Sequence, residues 1–135
     1  MLAQKQFGGL DIGFYNAGTM GALGSVTDIA VDGWQETLDV NLTGAFLSAR
    51  HQIPALLERK GGALIFTSTF VGPKLGLPGM AAYASAKAGL VGLMHVLAAE
   101  YGPQGLRVNA LMPGGTETAM GRAATPTPEQ QAFVE

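Results

Sequence analysis

Cysteine is absent from this chain, which removes disulfides, thiolate nucleophiles and cysteine-ligated zinc together. Charge is scarce as well: Asp, Glu, Lys and Arg make up 13% of the 135 residues, and the formal net charge is -2. That balance leaves no basic face for a phosphate backbone and no polybasic run for an anionic membrane. Histidine occurs only as His51 and His95. They lie far apart with no close carboxylate partner, so each is read as a partly exposed helix residue and no metal site is expected. Long hydrophobic runs are missing too, since none reaches the roughly eighteen residues a membrane span needs. The start, Met1-Leu2-Ala3-Gln4-Lys5-Gln6, lacks the apolar core of a signal peptide. The expectation is a cytoplasmic protein with neither nucleic acid nor membrane as partner.

What the chain has is apolar residue, 47% of its length, enough for one domain over residues 1–135 that buries about two-thirds of its unfolded surface. Leu10-Asp11-Ile12-Gly13-Phe14-Tyr15 reads as a buried strand running into a turn at Asn16-Ala17-Gly18. Asp32 is placed to cap a helix, with Gln35 reaching back to it, and Trp34, Leu38, Leu42, Phe46, Ala49, Ile53 and Leu56 then recur at helical spacing. Pro54 should bend that helix. Arg59 and Lys60 suit its negative end, and Gly61-Gly62 should stop it. A second strand, 63–68, follows. A second long helix is expected from about Met80 to Tyr101, ended by Gly102-Pro103. The third strand, Arg107 to Met112, closes at Pro113-Gly114-Gly115, and Thr127-Pro128-Glu129-Gln130 opens a further helix. Strand, helix, strand, helix, strand at this spacing predicts an α/β fold: a partial Rossmann-like parallel sheet of about three strands with long helices in right-handed crossovers.

Chemistry enters with Tyr83 and Lys87, four apart and so on one face of the second long helix. A free phenol, with a pKa near 10, is a poor acid–base catalyst at neutral pH, but an adjacent ammonium favours the phenolate. Such a pair alone is commonplace. Leu90, Met94, Leu97 and Tyr101 continue the stripe, however, so the pair faces buried structure, where an unpartnered lysine is costly.

The run of motifs resembles the short-chain dehydrogenase/reductase family, in its classical form, over nearly the whole chain. Asn16-Ala17-Gly18 looks like the family's Asn-Ala-Gly turn, and Asn41 in Val40-Asn41-Leu42-Thr43-Gly44 looks like its helix asparagine. Tyr83-Ala84-Ser85-Ala86-Lys87 matches YxxxK, and Arg107-Val108-Asn109-Ala110 leads to Pro113-Gly114, with Thr118 at the threonine of PGxxxT. The resemblance implies an NAD- or NADP-dependent oxidoreductase moving hydride between nicotinamide and a small alcohol or ketone. Tyr83 would be general acid in reduction and general base in oxidation, and Lys87 would lower its pKa and bond the nicotinamide ribose. Asn41 would hold a water linking Lys87 to solvent; taken without the family, it is a buried amide satisfying helix backbone. Asn16, Ala17, Gly18, Pro113 and Gly114 would line the cofactor cleft. Thr116 and Thr118 would contact the nicotinamide amide and phosphates, or else simply satisfy their own loop.

Two departures from the family pattern matter. Aligning Gly72 with S-x-x-G puts Thr69 where the family has its substrate-polarising serine, while Ser68 is the usual chemical choice; alternation along a strand lets one of them point into the site. Nothing fits the family's TGxxxGxG turn, because Gly8-Gly9 has neither the spacing nor the following helix. The chain therefore reads as the catalytic half without the N-terminal cofactor-binding half. An uncovered sheet edge and face would favour a homo-oligomer, with Ala81, Ser85, Gly89 and Gly92 offering a flat surface for helix contact. The alternative function is a catalytically inactive, self-associating interaction module.

Overall fold

Three short apolar runs pair side by side in chain order, all parallel. In the computed structural model, which describes residues 2–116 and 118–124, they are β1 (Ile12–Tyr15), β2 (Gly62–Thr67) and β3 (Leu106–Leu111). The ends differ from the sequence reading by a residue or two, because ladder bonds, not composition, decide them. Ala63 N–H already donates to the Asp11 carbonyl before β1 formally begins, and Ser68 N–H still donates to Leu111.

Around the strands lie α1 (Leu2–Phe7), α2 (Val31–Leu38), α3 (Gly44–Glu58), α4 (Ala81–Tyr101) and α5 (Ala119–Ala124). Neither α1 nor α5, each only six residues long, is signalled by spacing or caps in the sequence. The expected first long helix is interrupted: a π-helical turn, Asp39–Thr43, joins α2 to α3. Pro54, expected to bend the helix, lies within α3, which continues to Glu58. The predicted capping box is not formed. Ala30 occupies the cap position because Trp34 N–H closes the first turn onto the Ala30 carbonyl. Asp32 thus sits inside that turn, where its charge still suits the dipole, and the Gln35 amide reaches forward to Asp39, 2.9 Å away. The helix expected at Thr127 lies outside the described residues.

Register decides where the core sits. Gly13, Leu64 and Val108 form one row across the sheet and Tyr15, Phe66 and Ala110 another, and period-two alternation puts both rows on one face. Leu64, Phe66, Leu106 and Val108 pack there against Ala45, Ala49, Ile53 and Leu56 of α3 and Leu90 and Leu97 of α4. The opposite face stays open: Ile12, Phe14 and Leu111 are 63%, 55% and 53% exposed.

The membrane expectation needs one correction. The stretch Ala81–Gln104 is long and apolar enough to cross a bilayer, with a mean hydropathy of 1.2, because Ala, Leu, Val and Met outweigh its scattered polar residues although no unbroken apolar run is long. It is a core helix here, burying Ala82, Tyr83, Ala86, Lys87, Leu90 and Leu97. The proposed flat helix surface is also divided. Gly89 is used inside the chain, where a Cβ would stand 2.8 Å from Leu42, while Ser85 and Gly92 face solvent.

The end of α3 carries an unusual feature. Gly61 N–H donates to Leu56 and Lys60 N–H to Leu57, the paired bonds of a Schellman ending. The left-handed position falls on Lys60, at φ 65, and not on a glycine. Since a side chain costs about 1 kcal/mol in that conformation, Lys60→Gly should raise the free energy of unfolding by about 1 kcal/mol in denaturant titration.

Candidate active site

The carboxyl ends of all three strands open into one cleft of about 790 Å³. Asn16 and Gly18 enter it from the exit of β1, Thr67, Ser68 and Thr69 from β2, and Pro113, Gly114, Thr116 and Thr118 from the loop after β3. Tyr83 and Lys87 come down onto it from the first turns of α4. Apart from Ala17 and Asn41, every site residue expected from sequence lines this space. Ala17 is exposed and off the lining, and Asn41 lies behind it, fully buried.

Helical spacing brings Tyr83 and Lys87 together as expected, with the ammonium 5.7 Å from the phenol ring centroid. Both are buried, at 9% and 4% exposure. Lys87 Nζ donates to the Thr67 carbonyl at 2.8 Å, and no carboxylate among the described residues pairs with it. Burial lowers the Lys87 pKa from its ordinary value. Burial also raises that of Tyr83, with a hydrogen bond from the Thr69 side chain pulling the other way. Desolvation therefore outweighs that hydrogen bond, and Tyr83 is a protonated phenol at neutral pH.

The two hydroxyls after β2 are sorted by pleat. Ser68 Oγ turns beneath α4 and donates to the Lys87 carbonyl at 2.8 Å. Thr69 turns to Tyr83 and accepts from Val71 N–H at 3.3 Å. Ser68 thus anchors the helix that carries the pair, whereas Thr69 shares the pair's cleft.

Asn41 is clamped on three sides. Its Nδ2 donates to the carbonyls of Thr37 at 2.9 Å and Thr19 at 3.0 Å, and its Oδ1 accepts Thr19 N–H at 3.1 Å. The loop leaving β1 is thereby pinned to the π turn. A Cβ on Gly18 would stand 3.0 Å from Asn41 Oδ1 and 3.3 Å from Lys87 Nζ, so a glycine lets the backbone approach both. Asn16 Oδ1 accepts from Thr67 Oγ1 at 2.9 Å. Thr116 donates to the Gly114 carbonyl and Thr118 accepts Gly121 N–H; both hydroxyls serve their own loop.

Sequence reasoning missed the apolar wall. Met20, Phe70, Leu77, Met80 and Met120 line the same cleft, and all but Met120 sit in Gly/Pro-punctuated loops with no periodicity to flag them. A usable signal was there: Phe70, Val71, Leu77 and Met80 crowd the loop between Thr69 and Tyr83, and large apolar residues in a loop need a burial partner. His51 and His95 are exposed helix residues, and no metal-binding cluster exists among the described residues.

A family profile described as Enoyl-(Acyl carrier protein) reductase matches residues 2–135. The chain belongs to the short-chain dehydrogenase/reductase family. It is 36% identical over 118 residues to cyclohexanol dehydrogenase of Acinetobacter sp. (strain SE19), covering 87% of this chain and 47% of that protein. It is 40% identical over 114 residues to 2,5-dichloro-2,5-cyclohexadiene-1,4-diol dehydrogenase of Sphingobium indicum, covering 84% and 46%. Carveol dehydrogenase from Mycobacterium avium, solved with NAD, superposes with a TM-score of 0.87 at 32% identity, over 98% of this chain and 52% of that one. This short-chain dehydrogenase/reductase thus spans about half the length of the relatives it matches.

The buried ammonium sets a testable sign. A lysine whose folded pKa is depressed binds fewer protons than the unfolded chain below its ordinary value near 10.4, so its burial costs stability at neutral pH and the cost vanishes as pH rises through that window. Lys87→Met should raise the unfolding free energy at pH 7 by about 1 kcal/mol and flatten the alkaline gain in stability, read by chemical denaturation at neutral and alkaline pH.

Proposed function

We propose that this chain carries the acid–base half of an NAD(P)-dependent dehydrogenase of uncharged alicyclic alcohols and their ketones, in a cytoplasmic setting. The observation that carries the proposal is the convergence of Tyr83, Lys87 and Thr69 on one cleft at the carboxyl ends of the strands. The apolar wall of Met20, Phe70, Leu77, Met80 and Met120 favours a ring substrate without charge, in keeping with relatives named for cyclohexanol and a cyclohexadienediol.

The cleft fits one end of a nicotinamide cofactor. Gly18 leaves room beside Lys87 Nζ, and Thr116 and Thr118 supply hydroxyls across from it. The pyrophosphate end is not built by the described residues: Gly8 and Gly9 lie between α1 and β1, and a Cβ on Gly9 would run into the Arg59 side chain. When bound, the nicotinamide gives or takes the hydride at the substrate carbon. Lys87 would bond the ribose, and Asn16, Gly18, Pro113 and Gly114 would border the ring.

The chain's own residues handle the proton. In ketone reduction the Tyr83 hydroxyl gives its proton to the substrate oxygen while the Thr69 hydroxyl donates a hydrogen bond to the same atom. The Lys87 ammonium, 5.7 Å from the ring, then stabilises the phenolate until a proton returns by way of water near Asn41. Alcohol oxidation reverses each transfer. Because burial keeps Tyr83 protonated, reduction is favoured at neutral pH, and oxidation should climb with pH.

Titration of the chain with NADH or NADPH, followed by nucleotide fluorescence, should show weak binding or none unless another segment or chain supplies the phosphate site; low-micromolar binding by the chain alone would overturn that. In an assembly that turns over, Tyr83→Phe should abolish most activity with nucleotide affinity nearly unchanged. Thr69→Val should lower turnover about 100-fold, whereas Ser68→Ala should chiefly lower stability. Equal rates for wild type and Y83F on cyclohexanol would end the acid–base assignment.

A second reading, a silent self-associating module, draws on Ile12, Phe14 and Leu111 on the open sheet face. Both readings take this face as a contact between copies. Sedimentation should find wild type above monomer mass and Phe14→Asp shifted toward monomer; a monomeric wild type would remove the self-association.

A further inference from the structure

We infer that Tyr15 is a positioning residue for the cleft: its phenol holds open the π turn that carries Asn41, and so fixes the loop leaving β1. This rests on reading the Asn41, Lys87 and Tyr83 cluster as the working site.

The argument begins with one displaced hydrogen bond. In a continuous α-helix the Gly44 N–H would meet the Val40 carbonyl, four residues back. Here it donates to Asp39, five residues back. Val40 thus loses its ladder partner, and its freed carbonyl is open to another donor. The Tyr15 hydroxyl supplies it, in a short hydrogen bond to the Val40 oxygen. Gly44 makes the approach possible, since a Cβ at that position would fall on the phenol oxygen. Tyr15, Val40 and Gly44 therefore form a wedge, with the phenol occupying space that a side chain on Gly44 would take.

The position of the wedge gives it a function. Tyr15 is the last residue of β1, directly before Asn16-Ala17-Gly18, and Val40 adjoins Asn41. The Asn-Ala-Gly turn is consequently tied to the π turn at both ends: by Tyr15 to Val40 on the near side, and by Asn41 to both backbone groups of Thr19 on the far side. If the turn relaxed to α-helical register, the Asn41 side chain would rotate about the helix axis relative to Thr37 and Thr19, and Gly18 would lose its seat against Asn41 Oδ1 and Lys87 Nζ. Burial raises the Tyr15 pKa, so the phenol remains a donor throughout the neutral range.

The test reads this geometry without turnover. In isotope-labelled chain, Tyr15→Phe should speed hydrogen exchange at Thr19 N–H about tenfold and shift the Asn41 side-chain amide resonances, while Leu64 and Val108 N–H in the sheet keep their protection. Gly44→Ala, which puts a methyl where the phenol lies, should give the same local signature even though alanine favours the helix. Unchanged Thr19 and Asn41 signals in both variants would overturn the inference. So would a uniform loss of protection across the sheet, which would make Tyr15 a general stabiliser. These signals do not depend on catalysis: an inactive wild type with the expected shifts would sink the proposed function alone, and an active Y15F with unmoved Asn41 would sink this inference alone.

Discussion

A lysine ammonium bonded to a strand-end carbonyl and held out of water is the constraint around which this molecule is arranged. The Lys87 ammonium meets the Thr67 carbonyl at the very end of β2, so α4 can lie on the sheet only in the position that brings its first turns over the strand ends. Ser68 Oγ fastens the same turn from below through the Lys87 carbonyl. Two consecutive residues of one strand exit thus hold both ends of one lysine, and the phenol four residues earlier is carried into the cleft with it. An isolated buried charge is a poor way to gain stability. Its burial on a mostly apolar helix face, beside Ala86 and Leu90, is what a site whose requirements override packing would show.

The second constraint is the one-sided sheet. Helices α3 and α4 cover the face bearing Leu64, Phe66, Leu106 and Val108, while the face bearing Ile12, Phe14 and Leu111 is bare. Parallel sheets are normally covered on both faces, and the described residues leave one face of this sheet open. The same division runs through the cleft. In the proposed reading, the acid–base groups and the border of the nicotinamide come from the described residues, which do not build a pyrophosphate end. Acid–base chemistry and nucleotide capture would then be separable, because they grow from the ends of different strands.

Much of this was readable in the residues. Tyr83 and Lys87 could be paired because helical spacing is local geometry, and Asn16, Gly18, Pro113 and Gly114 could be placed because parallel strands present their carboxyl ends to one side. Other features resisted. The Asp32 and Gln35 capping box is a local pattern that lost to a turn closing on Ala30. The π turn at Asp39–Thr43 has no composition of its own; it exists because Tyr15, twenty-five residues away, offers a donor to Val40. The methionines of the apolar wall sit in loops whose course no periodicity describes.

Spacing along the chain and short motifs in order were enough for the three strands, the two long helical stretches, the parallel topology, the buried stripe of α4 and the family. Folding in three dimensions was needed to choose Thr69 over Ser68 as neighbour of the phenol, to set the register of the helix at Asn41, and to fix the direction of the Tyr83 and Lys87 shifts. Those depend on which groups meet across space and how much water remains between them, and neither quantity is a function of separation along the chain.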